Sequence, residues 1–159
     1  MSLRTGTPVA QVTRPLINPN NLKIEGFYCQ DSFNGQTLVM LYQDIRELVP
    51  QGFVVDDHDV LVTPEELVRL REIIDLDYQI IGKQVDIQDG GKLGKVADYA
   101  TEVNSMYIQK LYVSRTMLKS FASGQLSVDR SQIVEVTPRH ILILDVLQGT
   151  PATAPAGAA

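Results

Sequence analysis

The chain of 159 residues has no tryptophan, one cysteine and two histidines, and aromatics make up only 6% of it. Each scarcity narrows the field. A single cysteine, Cys29, cannot form an internal disulfide. It sits in Phe27-Tyr28-Cys29 and is expected to pack as a small hydrophobe, in keeping with a reducing, cytoplasmic setting. With so few aromatics, the core is expected to be built from Val, Ile and Leu. His58 and His140 are the only histidines available to a nucleophile–His–acid system, and neither lies near a nucleophile-elbow pattern. Long apolar runs are also missing. Ile141-Leu142-Ile143-Leu144, among the longest, ends at Asp145, whereas a membrane helix needs about 18 such residues. Met-Ser-Leu-Arg-Thr-Gly-Thr-Pro lacks the apolar stretch of a secretory signal. A basic excess is lacking too: the net charge is −5. Residues 1–79 carry 6 Lys+Arg against 12 Asp+Glu, and residues 80–159 carry 8 against 7. A general nucleic-acid binder would carry a basic footprint.

What is present is a near-normal 44% of hydrophobic residues, enough for a buried core. They fall in short, strand-like runs. Candidate strands in the first half are 8–13, 22–30, 36–42, 52–55 and 60–62, with one helical turn at 44–48. Candidates in the second half are 84–87, 93–103, 106–115, 125–129, 132–136 and 140–145, with a helical turn at 116–122. This spacing of short strands predicts a mainly β fold, as small barrels or strongly bent sheets. Between the halves, Thr63-Pro64-Glu65-Glu66 is a capping box. Leu67, Leu70 and Ile74 then mark one helical face, with Val68 and Ile73 beside it. The spacing predicts a connecting α-helix over about 64–75, packing one half against the other. The tail, 148–159, has no bulky apolar residue beyond Leu147 and is expected to be disordered.

The halves echo each other. Val60-Leu61-Val62-Thr63-Pro64 returns as Val134-Glu135-Val136-Thr137-Pro138, and Val55-Asp56 as Val128-Asp129. Gly6-Thr7-Pro8-Val9 can be laid on Gly82-Lys83-Gln84-Val85, and Ile24-Glu25-Gly26-Phe27 on Leu93-Gly94-Lys95-Val96. Two diverged copies are expected, over 2–76 and 77–147.

Three constellations could carry chemistry. The first is Asp89-Gly90-Gly91-Lys92-Leu93-Gly94-Lys95-Val96. A phosphate-binding loop needs Gly where Asp89 stands, a hydroxyl where Val96 stands, and a helix afterwards. A strand is expected to follow instead, so Asp89-Gly90 reads as a hairpin turn whose glycine takes a positive φ. The second is Asp56-Asp57-His58-Asp59, the one dense group of candidate metal ligands. On a strand these side chains would alternate between faces, and aspartate in a turn is explained by local hydrogen bonding. The third is a set of RNA-contact candidates: Lys92, Lys95, Lys110, Tyr112, Arg115, Lys119, Arg130 and Arg139. Lys110, Tyr112 and Ser114 share one strand face, where a base could stack and a phosphate pair. One aromatic is no platform, however, and a solvated outer face explains the same residues. No cofactor motif is found.

Ile81-Gly82-Lys83-Gln84-Val85, the run Asp89 to Val96, and Ser131-Gln132-Ile133-Val134-Glu135-Val136 together resemble the PRC-barrel domain. That domain occurs in the cytoplasmic part of the photosynthetic reaction-centre H subunit and at the C-terminal end of the bacterial ribosome maturation factor. The resemblance covers about Tyr78 to Asp145 and, more loosely, Ser2 to Val62. It implies two tandem small barrels that bind other proteins, with no catalytic residue and no cofactor to carry over. Gly82, Val85, Gly90, Gly91, Leu93, Gly94, Lys95 and Val96 would then be structural marks of the family. The leading expectation is a non-enzymatic adaptor that docks on another protein or on itself. A ribosome-assembly or RNA-metabolism factor acting through Lys110, Tyr112 and Arg115 is the alternative. A metal-dependent enzyme using Asp57, His58 and Asp59 is the third.

Overall fold

A computed structural model describes residues 1–115 and 125–144. The helical turn expected at 116–122, Lys119, Asp145 and the tail lie outside the described residues. The chain is mainly β and forms two compact units. The first comprises Met1–Asn18 and Ile24–Tyr78; the second takes in Pro19–Lys23 and the described residues from Gln79 onward. The short segment Pro19–Lys23 thus leaves its sequence neighbours and joins the second unit. Among the described residues no helix is long and apolar enough to cross a membrane.

In the first unit, β1 (Ala10–Asn18), β2 (Lys23–Asp31) and β3 (Thr37–Leu41) form one sheet in that order. Pro15 sits inside β1, an edge strand, the place in a sheet where proline is tolerated. That proline hides the second half of the strand from a reading of the sequence. The segment expected as a helical turn at 44–48 is instead strand β4 (Ile45–Val49), which pairs antiparallel with β5 (Gly52–Val55). Its alternation of charge and apolar residues suits either state locally, and the cross-strand partner decides. Arg46 closes the hairpin base with a two-pronged bond to Asp56 at 2.8 and 2.7 Å.

The expected 64–75 helix is broken. Two 3-10 turns, Pro64–Glu66 and Val68–Leu70, precede a short α1 (Arg71–Leu76). The capping residues do meet: the Glu66 carboxylate accepts from the Thr63 N–H and hydroxyl, both at 2.8 Å. The chain then leaves helical geometry at Leu67 (φ −92°, ψ 74°). That bend lets Leu67, Leu70 and Ile74 pack beside buried Ile73 on Leu16, Tyr28 and Val39, all within the first unit. Val68 is left 75% exposed, off the expected face.

In the second unit, β6 (Gln84–Ile87), β7 (Lys92–Thr101), β8 (Ile108–Ser114), β9 (Gln125–Asp129), β10 (Ile133–Val136) and β11 (His140–Ile143) form one sheet of order β10-β11-β6-β7-β8-β9. All pairs are antiparallel except β11–β6. Val85, Ile108, Leu111, Val113, Val128, Ile141 and Ile143 are fully buried. Each contributes roughly 1.5–3 kcal/mol by leaving water. A closed barrel is not found among the described residues. The link from β9 to β10 is a 3-10 turn, Arg130–Gln132, which redirects the chain and leaves β9 and β10 as the two ends of the sheet.

Strand pairing moves the internal repeat. Ile45 pairs with Val55 and Glu47 with Val54, with a bulge between; Ile133 pairs with Ile143 and Glu135 with Leu142, with a bulge at the same place. Each hairpin follows a three-residue 3-10 turn, Tyr42–Asp44 or Arg130–Gln132, and these follow β3 and β9 directly. Ser2 bridges Val55 in parallel, as β6 lies parallel to β11. The sequence echoes given above are therefore out of register. Val60 belongs to a 3-10 turn while Val134 is in β10, and β2 takes the place of β8 rather than β7. Short Val-rich and Gly-rich words recur in any β protein, whereas bulges and pairing partners do not.

Candidate functional site

The glycine-rich stretch is a hairpin, with β6 antiparallel to β7. The Ile87 N–H donates to the Gly91 carbonyl and the Gly90 N–H to the Ile87 carbonyl, both at 3.0 Å. The positive φ falls on Asp89 (64°), not on Gly90, a correction to the expected turn. Aspartate is among the few side chains that accept this conformation. Gly82 does need its freedom, at φ +90°, and its N–H donates to the Val96 carbonyl at 2.8 Å. Gly94 is required for another reason: a Cβ there would lie 2.1 Å from the Ser114 carbonyl oxygen on β8. Val85, Leu93 and Val96 point into the core, while Lys92 and Lys95 are exposed.

The Asp56-Asp57-His58-Asp59 group is tied into the first unit. Asp57 caps the 3-10 turn His58–Val60 by accepting from the His58 N–H at 2.8 Å. It also accepts from the Ser2 hydroxyl at 3.1 Å and pairs with Arg4 at 3.0 Å. Asp56 is held by Arg46. The His58 imidazole Nε2 lies 3.0 Å from the carboxylate of Asp31, whose side chain is only 3% exposed. Among the described residues no group of three His, Cys, Asp or Glu side chains is placed to hold a metal ion. Cys29 is buried, and burial pushes its thiol up to about 11, so it stays a thiol at neutral pH.

Asp31 gives a pH test. Its pKa is held below the ordinary carboxylate value, first by the Phe33 N–H and then by His58, against the opposing effect of burial. A depressed folded pKa adds stability that is complete above the unfolded pKa, near 4, and is lost as pH falls through the folded value. The gap in urea midpoint between wild type and Asp31→Asn is therefore expected to be widest at neutral pH and to close below about pH 4. A gap independent of pH would show that the carboxylate charge is not what stabilises.

The Lys110–Tyr112–Ser114 face exists, but it is charge-balanced. On the flanking strands Asp129 lies opposite Lys110, and Asp98 and Ser127 lie opposite Tyr112. Arg115 is partly buried at the end of β8. Arg130, one of the RNA candidates, points inward instead. Its guanidinium donates to the Ile108 carbonyl at 2.9 Å and to the Asn21 carbonyl, and sits 5.0 Å from the Tyr107 ring centroid. It thereby anchors Pro19–Lys23, helped by the Ile108 N–H on the Leu22 carbonyl at 2.9 Å.

That anchor forms one wall of a groove of about 370 Å³. The groove runs between Pro19–Leu22 and Ile133–Val136, with Arg130 at its base. Its other wall is β10, an end strand of the sheet. The Ile133 N–H donates to the Arg130 carbonyl. Val134 is 45% exposed, and Glu135 is the strand's one charge. Lysines, prolines or covering loops usually shield such edges, and β10 itself carries none of the first two. The strand was readable from its β-branched residues; its position at the edge was not. No protein-family model matches the chain, and a search of curated proteins found no match either.

Proposed function

We propose that the chain is a non-enzymatic interaction protein, two tandem PRC-type units, that takes up an extended segment of a partner protein along β10. The single observation behind this is the β10 edge beside a groove. An added strand would satisfy its outward N–H and C=O groups, and the groove would receive alternate side chains. The shared strand plan of the two units and the resemblance of the Gly82 to Val96 hairpin support the tandem reading. A catalytic role has little support, since Asp31, Asp56, Asp57 and His58 are engaged in holding turns together. An RNA- or ribosome-directed role has less support than protein docking, because acidic groups neighbour Lys110 and Tyr112.

Val134→Lys tests the docking. The side chain is already half-exposed, so the fold is expected to persist, while a solvated ammonium now guards the edge. Retention of the partner captured by the wild-type chain should fall by about tenfold. Val12→Lys, on the first unit, should retain it. Equal retention by both variants would remove β10 from the proposal. A strictly monomeric protein that captures nothing would overturn the reading as a whole. Co-sedimentation with small ribosomal subunits that is lost at high salt would favour the RNA-directed role instead.

A further inference from the structure

In the second unit β6 joins two parts of the sheet, lying parallel to β11 and antiparallel to β7. Its Val85 pairs with Ile141 and Gly94 and is fully buried. The first unit repeats the two parts, as the β4–β5 hairpin and the trio β1-β2-β3, but among the described residues no strand joins them. Only Met1 to Leu3 follow the path of β6. Ser2 bridges Val55 as Ile87 pairs with Ile143, the Val55 N–H donates to the Met1 carbonyl, and the Leu3 N–H donates to the Val55 carbonyl. Counted back from that bridge, the place held by Val85 in the second unit falls beside Phe53 in the first, and that of Gln84 beside Gly52. A cavity of about 520 Å³ opens there, walled by Ala10, Gln11 and Val12 of β1 and by Gly52 and Phe53 of β5. Val9, Cys29, Met40, Val55 and Leu61 form its buried floor. Met1 also lines it, with its ammonium donating to the Phe53 carbonyl at 2.9 Å.

From this we infer that the cavity is a strand-acceptor slot for a short extended segment of a partner polypeptide, antiparallel to β1 and parallel to β5, with an aliphatic side chain on the floor. The second unit supplies the occupant's chemistry, because β6 makes those two pairings there with Val85 inward. A polypeptide suits the walls as well as the floor. β1 is an edge strand, and an incoming backbone can extend its ladder. The side chain at the level of Phe53 leaves water against aliphatic, thiol and thioether surface. Peptide carbonyls are acceptors, so the Met1 ammonium is compatible with this occupant. The slot belongs to the first unit alone and is independent of β10.

Two readouts on the unaltered chain test it. The probe is the peptide acetyl-Ile-Gly-Lys-Gln-Val-amide, which copies residues 81–85 and carries no free carboxylate. Its counterpart has glycine in place of the valine. The two peptides carry the same charge, so the Met1 ammonium cannot separate them. With the valine peptide, amide resonances of Ala10, Gln11, Val12, Gly52 and Phe53 should shift, and alkylation of Cys29 by a small maleimide should slow several-fold. The glycine peptide should bind about tenfold more weakly, for want of the buried side chain. No shift and no protection by the valine peptide would overturn the inference. So would equal binding of the two peptides, or shifts confined to the second unit. The same shifts on concentrating the protein without peptide would also overturn it, and would assign the slot to a second copy of the chain.

Discussion

Gly94→Val is expected to unfold the second unit at urea concentrations where the wild type remains folded. The reason is geometric. Even the first carbon of a side chain at position 94 would sit 2.1 Å from the Ser114 carbonyl oxygen and 2.9 Å from its carbon. Both are backbone atoms of β8, so no rotamer change relieves the clash. The β7–β8 ladder, which pairs Lys95 with Ser114 and Val96 with Val113, would have to part. Overpacking in a well-packed region costs about 1–3 kcal/mol and more where backbone must move, so a loss of about 3 kcal/mol or more is expected. Gly91→Ala is the control. A Cβ there meets nothing within 4 Å, and the change should be close to neutral. Circular dichroism across a urea series would give both midpoints. A neutral Gly94→Val would mean that β8 does not approach β7 this closely.

The second large effect is expected at Arg130. Arg130→Ala removes two charge-assisted bonds, to the Ile108 and Asn21 carbonyls, together with the cation over Tyr107. Hydrogen bonds to charged groups contribute about 1.5–3 kcal/mol each, and partly buried carbonyls are left without that partner. A loss of about 2–4 kcal/mol follows. Hydrogen exchange should show where it is lost: the Ile108 amide, which donates to the Leu22 carbonyl, should exchange faster. Arg130→Lys should recover only part, because an ammonium lacks the planar fork that reaches two carbonyls at once. Full recovery by lysine would reduce Arg130 to a simple charge, closer to the RNA-contact role considered for it from the sequence.

These residues also show where reading the sequence stops. The DGG hairpin was visible because turn chemistry is local: two β-like runs around Asp89-Gly90 leave few other conformations. Strands 52–55, 84–87 and 125–129 came out at their observed bounds for the same reason, since β-branched residues between turn residues favour extended chain. The Ile45–Val49 strand did not. Its local pattern was ambiguous, and the hairpin with Gly52–Val55 settled it. The Thr63–Glu66 cap was legible, but the helix beyond it was not, because Leu67 follows the first unit's core rather than the helical period.

The sequence by itself determined a Val/Ile/Leu-rich β protein with a glycine hairpin before β7. Those conclusions rest on local propensity and on composition, which need no knowledge of the partner strand. The tertiary structure alone decided that Asp31 faces His58, that Arg130 turns inward to hold Pro19–Lys23, that β10 lies at the sheet's edge, and that a mainly apolar cavity opens between β1, β2 and the β4–β5 hairpin. Each of these joins residues far apart in the chain. Their meeting follows from strand order and register, which short-range patterns do not encode.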